Sequence, residues 1–330
     1  MMLPRAASNA VRTIAFLAAA AVRTTAAADD TWPAKPVRVV VPLAAGSTAD
    51  IVARLMGQEL SKALHQAVVI ENRAGAGGTI GMGEVARAAP DGYNVSFTGQ
   101  GTLVFNRAIY PKLPYDTLKD FTALALVGGV ANVMIVHPGN PAANVTDVIA
   151  QARARPGQLT YSSGGSGTSH HLSGVLFARM TRTDLIHVPY KSTPQGVLAV
   201  MASDVTMGFF NTPTVISQIR DGKLKALGVT STARSPLLPA VPTMEEQGLK
   251  GFEVNTWFGF VGPAGLPREI VMRYNTEINK IAAAPEMRAR LSGQGFDLAP
   301  PMDAPAFTKF IAEDAARWVP IVKASGATAE

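Results

Sequence analysis

The sequence predicts an α/β protein of two lobes, each a mainly parallel sheet flanked by helices, joined by two crossover segments that form a hinge. Three observations carry this. Short β-branched runs alternate with stretches of helical periodicity, the pattern of βαβ layers. The alternation runs twice, once before Val130 and again after it. Extended passages near Val130 and near Asn255 join the two sets without a long Gly/Ser tract, so they are not flexible linkers. Composition agrees: 330 residues, 47% hydrophobic and 16% charged, can build two cores. The absence of cysteine excludes a disulfide-stapled scaffold and a thiolate metal site.

Residues 37–42 (VRVVVP) read as a buried strand. Residues 49–63 carry Ile51, Val52, Leu55, Met56, Leu60 and Ala63 at helical spacing, with Asp50 in the first turn to complement the helix dipole. A second strand follows at 68–71. The glycine-rich 74–83 leads into 84–88, and Pro90-Asp91-Gly92 turns the chain into a strand at 93–98. In the second set, a strand at 133–136 precedes the Pro138-Gly139-Asn140-Pro141 turn and a helix at 145–154 capped by Asn144 or Thr146. Strands at 159–162, 185–188, 206–210 and 225–230 then alternate with helices at 168–180, 193–202 and 215–221. From Asn255 the chain is extended (NTWFGFVGP), and three helical patterns follow at 267–284, 285–294 and 305–324. This return completes the first lobe, giving lobe 1 from 29–131 and 254–330 and lobe 2 from 132–253. A cleft between lobes crossed twice is the natural ligand site.

The formal charge of +6 points first to an acidic partner such as nucleic acid or a membrane surface. Its distribution argues otherwise. The first 28 residues hold Arg5, Arg12 and Arg23 but no acidic residue, an apolar run fills 13–22 (TIAFLAAAAV), and Ala26-Ala27-Ala28 offers an A-x-A cleavage site. Residues 1–28 are therefore expected to be a secretory signal peptide. Removing these three arginines lowers the net charge from +6 to +3. No other window offers roughly 18 consecutive apolar residues, so the mature chain is expected to be soluble and exported. Lys191, Arg220, Lys223 and Lys225 are spaced as surface charges with no interleaved aromatics, so nucleic acid is not an expected partner.

Two loops place small residues between a strand and the start of a helix: 42–50 (PLAAGSTAD) and 162–171 (SSGGSGTSHH). Unpaired N–H groups at a helix N-terminus carry partial positive charge, so such a loop binds an anion without any basic side chain. Ser47, Thr48, Thr168 and Ser169 add hydroxyl donors. One loop per lobe would grip an anion from both sides. The plainer reading of either loop alone is a tight turn with a capped helix.

Catalytic and cofactor motifs are scarce, and no cofactor or metal is expected. The G-x-S-x-G pattern fails at Ser166 because Thr168 stands where the second glycine belongs. Neither the P-loop pattern nor H-E-x-x-H occurs. Gly81-x-Gly83-x-x-Ala86 matches a dinucleotide fingerprint, but a glycine loop rather than a strand precedes it. His170 and His171 would point about 100° apart on a helix, a poor chelating pair. His65, His137 and His187 read as structural, and Asp50 with Arg54 as an i,i+4 ion pair. The reading from another class is a cleft hydrolase using Ser166 or Ser169 with His170, which lacks a placed third group.

The loops also carry a family resemblance. The segments WPAKPVRVVVPLAAGSTAD (32–50), VVIENRAGAGGTIG (68–81), AAPDGY (88–93), KLPYDTLKDF (112–121), RPGQLTYSSGGSGTSHHLSGVLF (155–177), IHVPYK (186–191), LPAVPTMEEQG (238–248) and WFGFVGPAGLP (257–267) occur in this order. Together they resemble the Bug-type substrate-binding proteins of tripartite tricarboxylate transporters over nearly all of the mature chain. The resemblance implies a type II-like periplasmic binding fold, non-catalytic and monomeric. Such a protein closes on a small carboxylate in the periplasm and presents it to a membrane permease. It implies that main-chain amides and water of both loops hold the carboxylate. By position these are Ala45, Gly46, Ser47 and Thr48, and Gly165, Ser166, Gly167, Thr168, Ser169 and His170. The strand end at Gly99 and Gln100 should contribute to the floor.

Three departures bear on the ligand. Ser47 and Ser192 stand where the family usually has glycine, and Phe210, before Asn211, stands where it often has an acidic residue. An aromatic surface at Phe210 would favour a flatter, less polar ligand tail. The expected ligand is thus a mono- or dicarboxylate with an apolar or aromatic portion rather than an amino acid. Bulky substitution of Gly46 or Gly167 is expected to weaken ligand affinity and leave thermal stability nearly intact.

Overall fold

The computed structural model describes residues 32–324 and 326–329; the expected signal peptide lies outside them. In chain order the elements begin with β1 (Val37–Val41), α1 (Thr48–Leu64), β2 (Val68–Asn72), a 3-10 turn at Ala76–Gly78, α2 (Thr79–Ala86) and β3 (Asn94–Gly99). A π-helical turn at Gly101–Phe105 runs into α3 (Asn106–Ile109), and β4 (Phe121–Val136) follows. Next come α4 (Val145–Ala154), β5 (Leu159–Ser163), α5 (Ser169–Thr181), β6 (Leu185–Pro189), α6 (Thr193–Met201), β7 (Met207–Asn211), α7 (Thr212–Arg220) and β8 (Lys225–Val229). The chain ends with β9 (Asn255–Pro263), α8 (Arg268–Ala283), α9 (Pro285–Ser292), β10 (Asp297–Leu298) and α10 (Ala304–Ala324).

The strands join in the order β2-β1-β3-β9-β4-β7-β5-β6, with β10 and β8 also on β4. The outer ladders β1–β2, β1–β3, β5–β6 and β5–β7 are parallel, as expected. The middle is not. β4 and β9 pair antiparallel with each other from Phe121↔Pro263 to Ala131↔Asn255, and each is antiparallel to its outer neighbour. The sheet is therefore mixed, because β4 carries the chain out of one lobe and β9 carries it back in the opposite direction. With 16 residues, β4 is about 50 Å long, enough to belong to both lobes.

Each lobe buries apolar side chains on both faces of its sheet. Alternation along β4 sends Met134 and Val136 into a cluster with Phe177, Phe209 and Phe252, and Val133 and Ile135 into one with Val200, Phe210 and Val215. On the other lobe, Met56 and Leu60 of α1 pack with Phe97, Phe258 and Tyr274, while Phe105, Phe307 and Trp318 fill the opposite face. Gly128 and Gly129 interrupt β4 without ending it. Asp297 O closes on the first, and a β-carbon on the second would stand 2.9 Å from Thr256 O, so these positions have room only for glycine.

Candidate functional site

The loop after β1 and the loop after β5 end in the N-termini of α1 and α5, and both ends meet at one cavity of about 40 Å³. Ser47, Thr48 and Ala49 line it from one side and Gly167, Thr168, Ser169 and His170 from the other. Leu43, Gly77, Gly99, Thr102, Thr256 and Phe258 contribute further wall. The two sides of this cavity touch. Thr48 Oγ1 donates to Asn211 Oδ1 at 3.1 Å, and a β-carbon on Gly46 would stand 2.9 Å from Pro194 Cγ. A wider recess of about 500 Å³ adjoins through Leu43 and Gly77 and is lined by Tyr110, Tyr190 and Lys191 among others.

Local bonding decides which amides are available. Asp50 turns back on the first loop: its Oδ2 accepts the Gly46 N–H at 2.9 Å and its Oδ1 pairs with Arg54 at 2.8 Å. Ser47 is the N-cap of α1. Its N–H goes to Ala44 O at 3.2 Å, and its Oγ accepts the Asp50 N–H at 3.3 Å. This leaves Thr48 and Ala49, the first two residues of α1, with N–H groups that no protein acceptor takes.

The second loop is organised by two histidines. Gly164 N–H donates to His170 Nδ1 and Gly167 N–H to His171 Nδ1, both at 3.3 Å. Each Nδ1 therefore carries a lone pair, and His170 Nε2 carries the proton it gives to Asn211 Oδ1 at 3.3 Å. Burial pushes the pKa of both rings down to about 4, which keeps them neutral acceptors near pH 7; the Asn211 bond opposes this only in part for His170. Thr168 caps α5, its Oγ1 accepting the His171 N–H at 3.4 Å and donating to Gly165 O at 2.7 Å. The N–H groups of Ser169 and His170 remain, the counterparts of Thr48 and Ala49.

Asn211 connects the two sides. Its Oδ1 accepts from Thr48 and His170, while its Nδ2 donates to Asn132 Oδ1 at 2.6 Å and Ser169 Oγ at 3.4 Å. Asn132, its partner across the β4–β7 ladder, donates in turn to Ser173 Oγ and Ser169 O. With both ends of its amide engaged, Asn211 holds the cavity in shape.

Of the residues singled out in the sequence, the cavity wall contains Ser47, Thr48, Gly99, Gly167, Thr168, Ser169, His170 and Asn211. The others lie elsewhere. Ala45 is exposed ahead of the cap, and the Gly46 amide is already spent on Asp50. Gly165 and Ser166 line the outer recess. Gln100 turns to the opposite side of the sheet, where its Nε2 donates to Asp314. Phe210 is 0% exposed in the core behind His170, with ring centroids 4.8 Å apart. It offers the cavity no aromatic surface, because successive strand residues face opposite ways and Asn211 takes the cavity side. Ser192 caps α6 through the Gln195 N–H. Gly77, Thr193, Thr256 and Phe258 in the wall, and Asn132 behind Asn211, are additions that sequence reading did not supply, as are Leu43 and Ala49 within the 42–50 loop. Gly81 and Gly83 lie inside α2 rather than before a helix, which removes the dinucleotide fingerprint.

Residues 52–327 match the model of the tripartite tricarboxylate transporter family receptor. The chain belongs to this family. It is 33% identical over 314 residues to Protein BugT of Bordetella pertussis, covering 94% of this chain and 95% of that one. Among solved structures it is similar to R. palustris Rpa4515 with adipate, at TM-score 0.87 and 32% identity over 90% of this chain and 99% of that one. MatC of Rhodopseudomonas palustris with bound malate has TM-score 0.84 and 32% identity, covering 88% and 99%.

The family consists of periplasmic solute receptors, not enzymes. The site of this receptor agrees with that in detail. His170 spends both ring nitrogens on Gly164 and Asn211, so it is base to neither Ser166 nor Ser169. The serine that does meet a histidine, Ser163 with His187 Nε2 at 2.7 Å, is fully buried beneath the loop, where His187 stacks on Tyr161 and His171. Among the described residues no His/Asp/Glu group is placed to hold a metal, and no helix is long and apolar enough to cross a membrane.

Proposed function

We propose that this protein, exported with residues 1–28 removed, captures a small carboxylate in the periplasm as a monomer. It delivers the acid to a permease of the tripartite tricarboxylate type. The observation that carries this reading is the pair of helix N-termini on one cavity, with the N–H groups of Thr48, Ala49, Ser169 and His170 uncommitted. The adipate and malate bound to the two similar receptors support the carboxylate class. Leu43 and Phe258 in the wall support a partly apolar ligand in place of Phe210. We take 29–131 with 254–330 as one lobe and 132–253 as the other, cuts that fall within β4 and next to β9.

The mechanism is a population shift: a ligand touching both loops binds only the closed state and so favours closure. Calorimetric titration with adipate, malate, benzoate and citrate, and with adipamide as a neutral control, tests the reading. Binding of at least one acid with no response to adipamide is expected. Equal binding of adipamide, or no acid bound, overturns it; binding of citrate alone overturns the apolar tail.

A further inference from the structure

A second recess lies behind the two long strands. β9 turns Phe258 to the cavity and Trp257 to the opposite side of the sheet, where a groove of about 740 Å³ runs along β4 at 129–131 and β9 at 255–257. The segment 231–237 borders it on one flank, and β10 and α10 on the other. Three aromatic rings, Trp257, Phe310 and Trp318, supply apolar wall, with Trp257 and Phe310 in edge contact at 5.5 Å. A concave space of this size with an aromatic wall and a few polar groups is the usual setting of a small-molecule site.

The polar groups of the groove lack donors. Asp314 of α10 accepts Gln100 Nε2 and Trp257 Nε1, each at 2.8 Å, on the single oxygen Oδ2, so Oδ1 takes neither. Gln100 is 2% exposed and lines the groove, and its Oε1 is buried with no hydrogen-bond partner. Asp297 of β10 lines the same groove. Burial raises the pKa of both carboxyls, and at Asp314 the bonds from Trp257 and Gln100 and the charge of Arg317 oppose this only in part. The two arginines of the groove are engaged elsewhere: Arg234 Nε on Glu246 at 2.9 Å, and the Arg317 guanidinium over the Trp318 ring at 5.5 Å. A half-buried carboxylate without a cation and a buried amide oxygen without a donor are both costly, and one kind of group relieves both: a cation that carries N–H bonds.

We propose that this groove binds an aliphatic ammonium ion, with its N–H groups on Asp314 and Gln100 Oε1 and its carbons against the aromatic wall. Asp297 adds negative charge at the exposed rim. The site is separate from the acid cavity and does not depend on the carboxylate reading.

The test is calorimetric titration of the protein with butylammonium, with tetramethylammonium as a cation lacking N–H bonds and butanol as an uncharged control. Wild type, Asp314→Asn, Asp297→Asn and Ser169→Pro are compared, each melted in parallel to establish that it is folded. Wild type is expected to bind butylammonium, to bind tetramethylammonium about tenfold more weakly and to give no response to butanol. Asp314→Asn should lose about tenfold or more for butylammonium, since the amide keeps an acceptor for Gln100 and Trp257 but carries no charge. Asp297→Asn, altered at the rim, should lose about threefold, and it decides the matter if the Asp314 variant does not fold. Ser169→Pro, altered only at the acid cavity, should match wild type. The proposal is overturned by a wild type that does not bind butylammonium, by equal binding of tetramethylammonium, or by wild-type affinity in the folded Asp→Asn variants. A loss in folded Ser169→Pro also overturns it, because it moves the amine to the acid cavity. The carboxylate reading is judged separately, by the titrations with acids.

Discussion

Replacing Ser169 with proline removes one amide hydrogen at the centre of the proposed anion grip and puts a ring methylene in its place. Ser169 is the first residue of α5, where the N–H has no intrahelical acceptor and proline is tolerated. The preceding residue, Thr168, has φ −80° and ψ 160°, the extended conformation that a residue before proline prefers. Helices α6 and α7 already carry a proline in their first turn. The side chain lost makes one weak contact, Ser169 Oγ with Asn211 Nδ2 at 3.4 Å, and the Asn132 bond to Ser169 O is kept. What disappears is a donor to a carboxylate, and a hydrogen bond to a charged group contributes about 1.5–3 kcal/mol. Affinity should fall roughly 10- to 150-fold. Ser169→Ala deletes the same hydroxyl but keeps the amide, and should stay within about threefold of wild type. Both variants are read by calorimetry with the tightest-binding acid, alongside thermal melting to establish that each is folded. A folded Ser169→Pro protein with wild-type affinity refutes the amide argument. An equal loss in Ser169→Ala assigns the effect to the hydroxyl instead.

Two further outcomes follow from the second loop. Gly167 has φ +84°, and Asn106 Oδ1 from the other lobe closes on the space a β-carbon would fill, so Gly167→Ala should both lower the melting temperature and weaken ligand binding by more than tenfold. The strain alone costs about 1–2 kcal/mol whether the cleft is open or closed, which argues against the nearly intact stability expected from sequence; melting and calorimetry on one preparation should show both losses. His170 and His171, held by burial at about pKa 4 against an unfolded value near 6.5, bind protons more readily when unfolded. Stability is therefore full above pH 6.5 and declines as pH falls toward 4, by several kcal/mol at most; urea midpoints that stay flat across that window would refute the neutral-histidine assignment.

The helices were legible because their signals are local. The helix at 145–154 is found at those residues with Asn144 as its cap, and the extended 255–263 is β9. The first half of β4 was not legible, since Gly128-Gly129 reads as a break until the approach of β10 and β9 is known. At the site, the same kind of signal is present. Ser47, with Asp50 three residues later, marks the N-cap, so the free amides had to begin at Thr48 and include Ala49 rather than Ala45. Strand alternation likewise allows only one of Phe210 and Asn211 to face the cavity. Thr256 and Phe258 leave no local trace; their place in the cavity wall depends on β9 returning beneath two loops more than 80 residues earlier in the chain.

The proposed closure has an electrostatic consequence that would make it depend on ligand without any lysine or arginine in the cavity wall. Each helix N-terminus carries the equivalent of about half a positive charge, and closing the cleft brings the ends of α1 and α5 to the same small cavity. Two like poles in a site shielded from water oppose closure, and the Thr48–Asn211 bond, contributing about 1 kcal/mol, works against that repulsion. An anion between the poles reverses the sign, because it is attracted by both ends at once and only when they are together. A neutral ligand of the same shape leaves the repulsion in place. In the proposed receptor, discrimination for charge thus arises from the backbone geometry of two capped helices, and discrimination among acids is left to wall side chains that the polar network does not occupy, Phe258 and Leu43 among them.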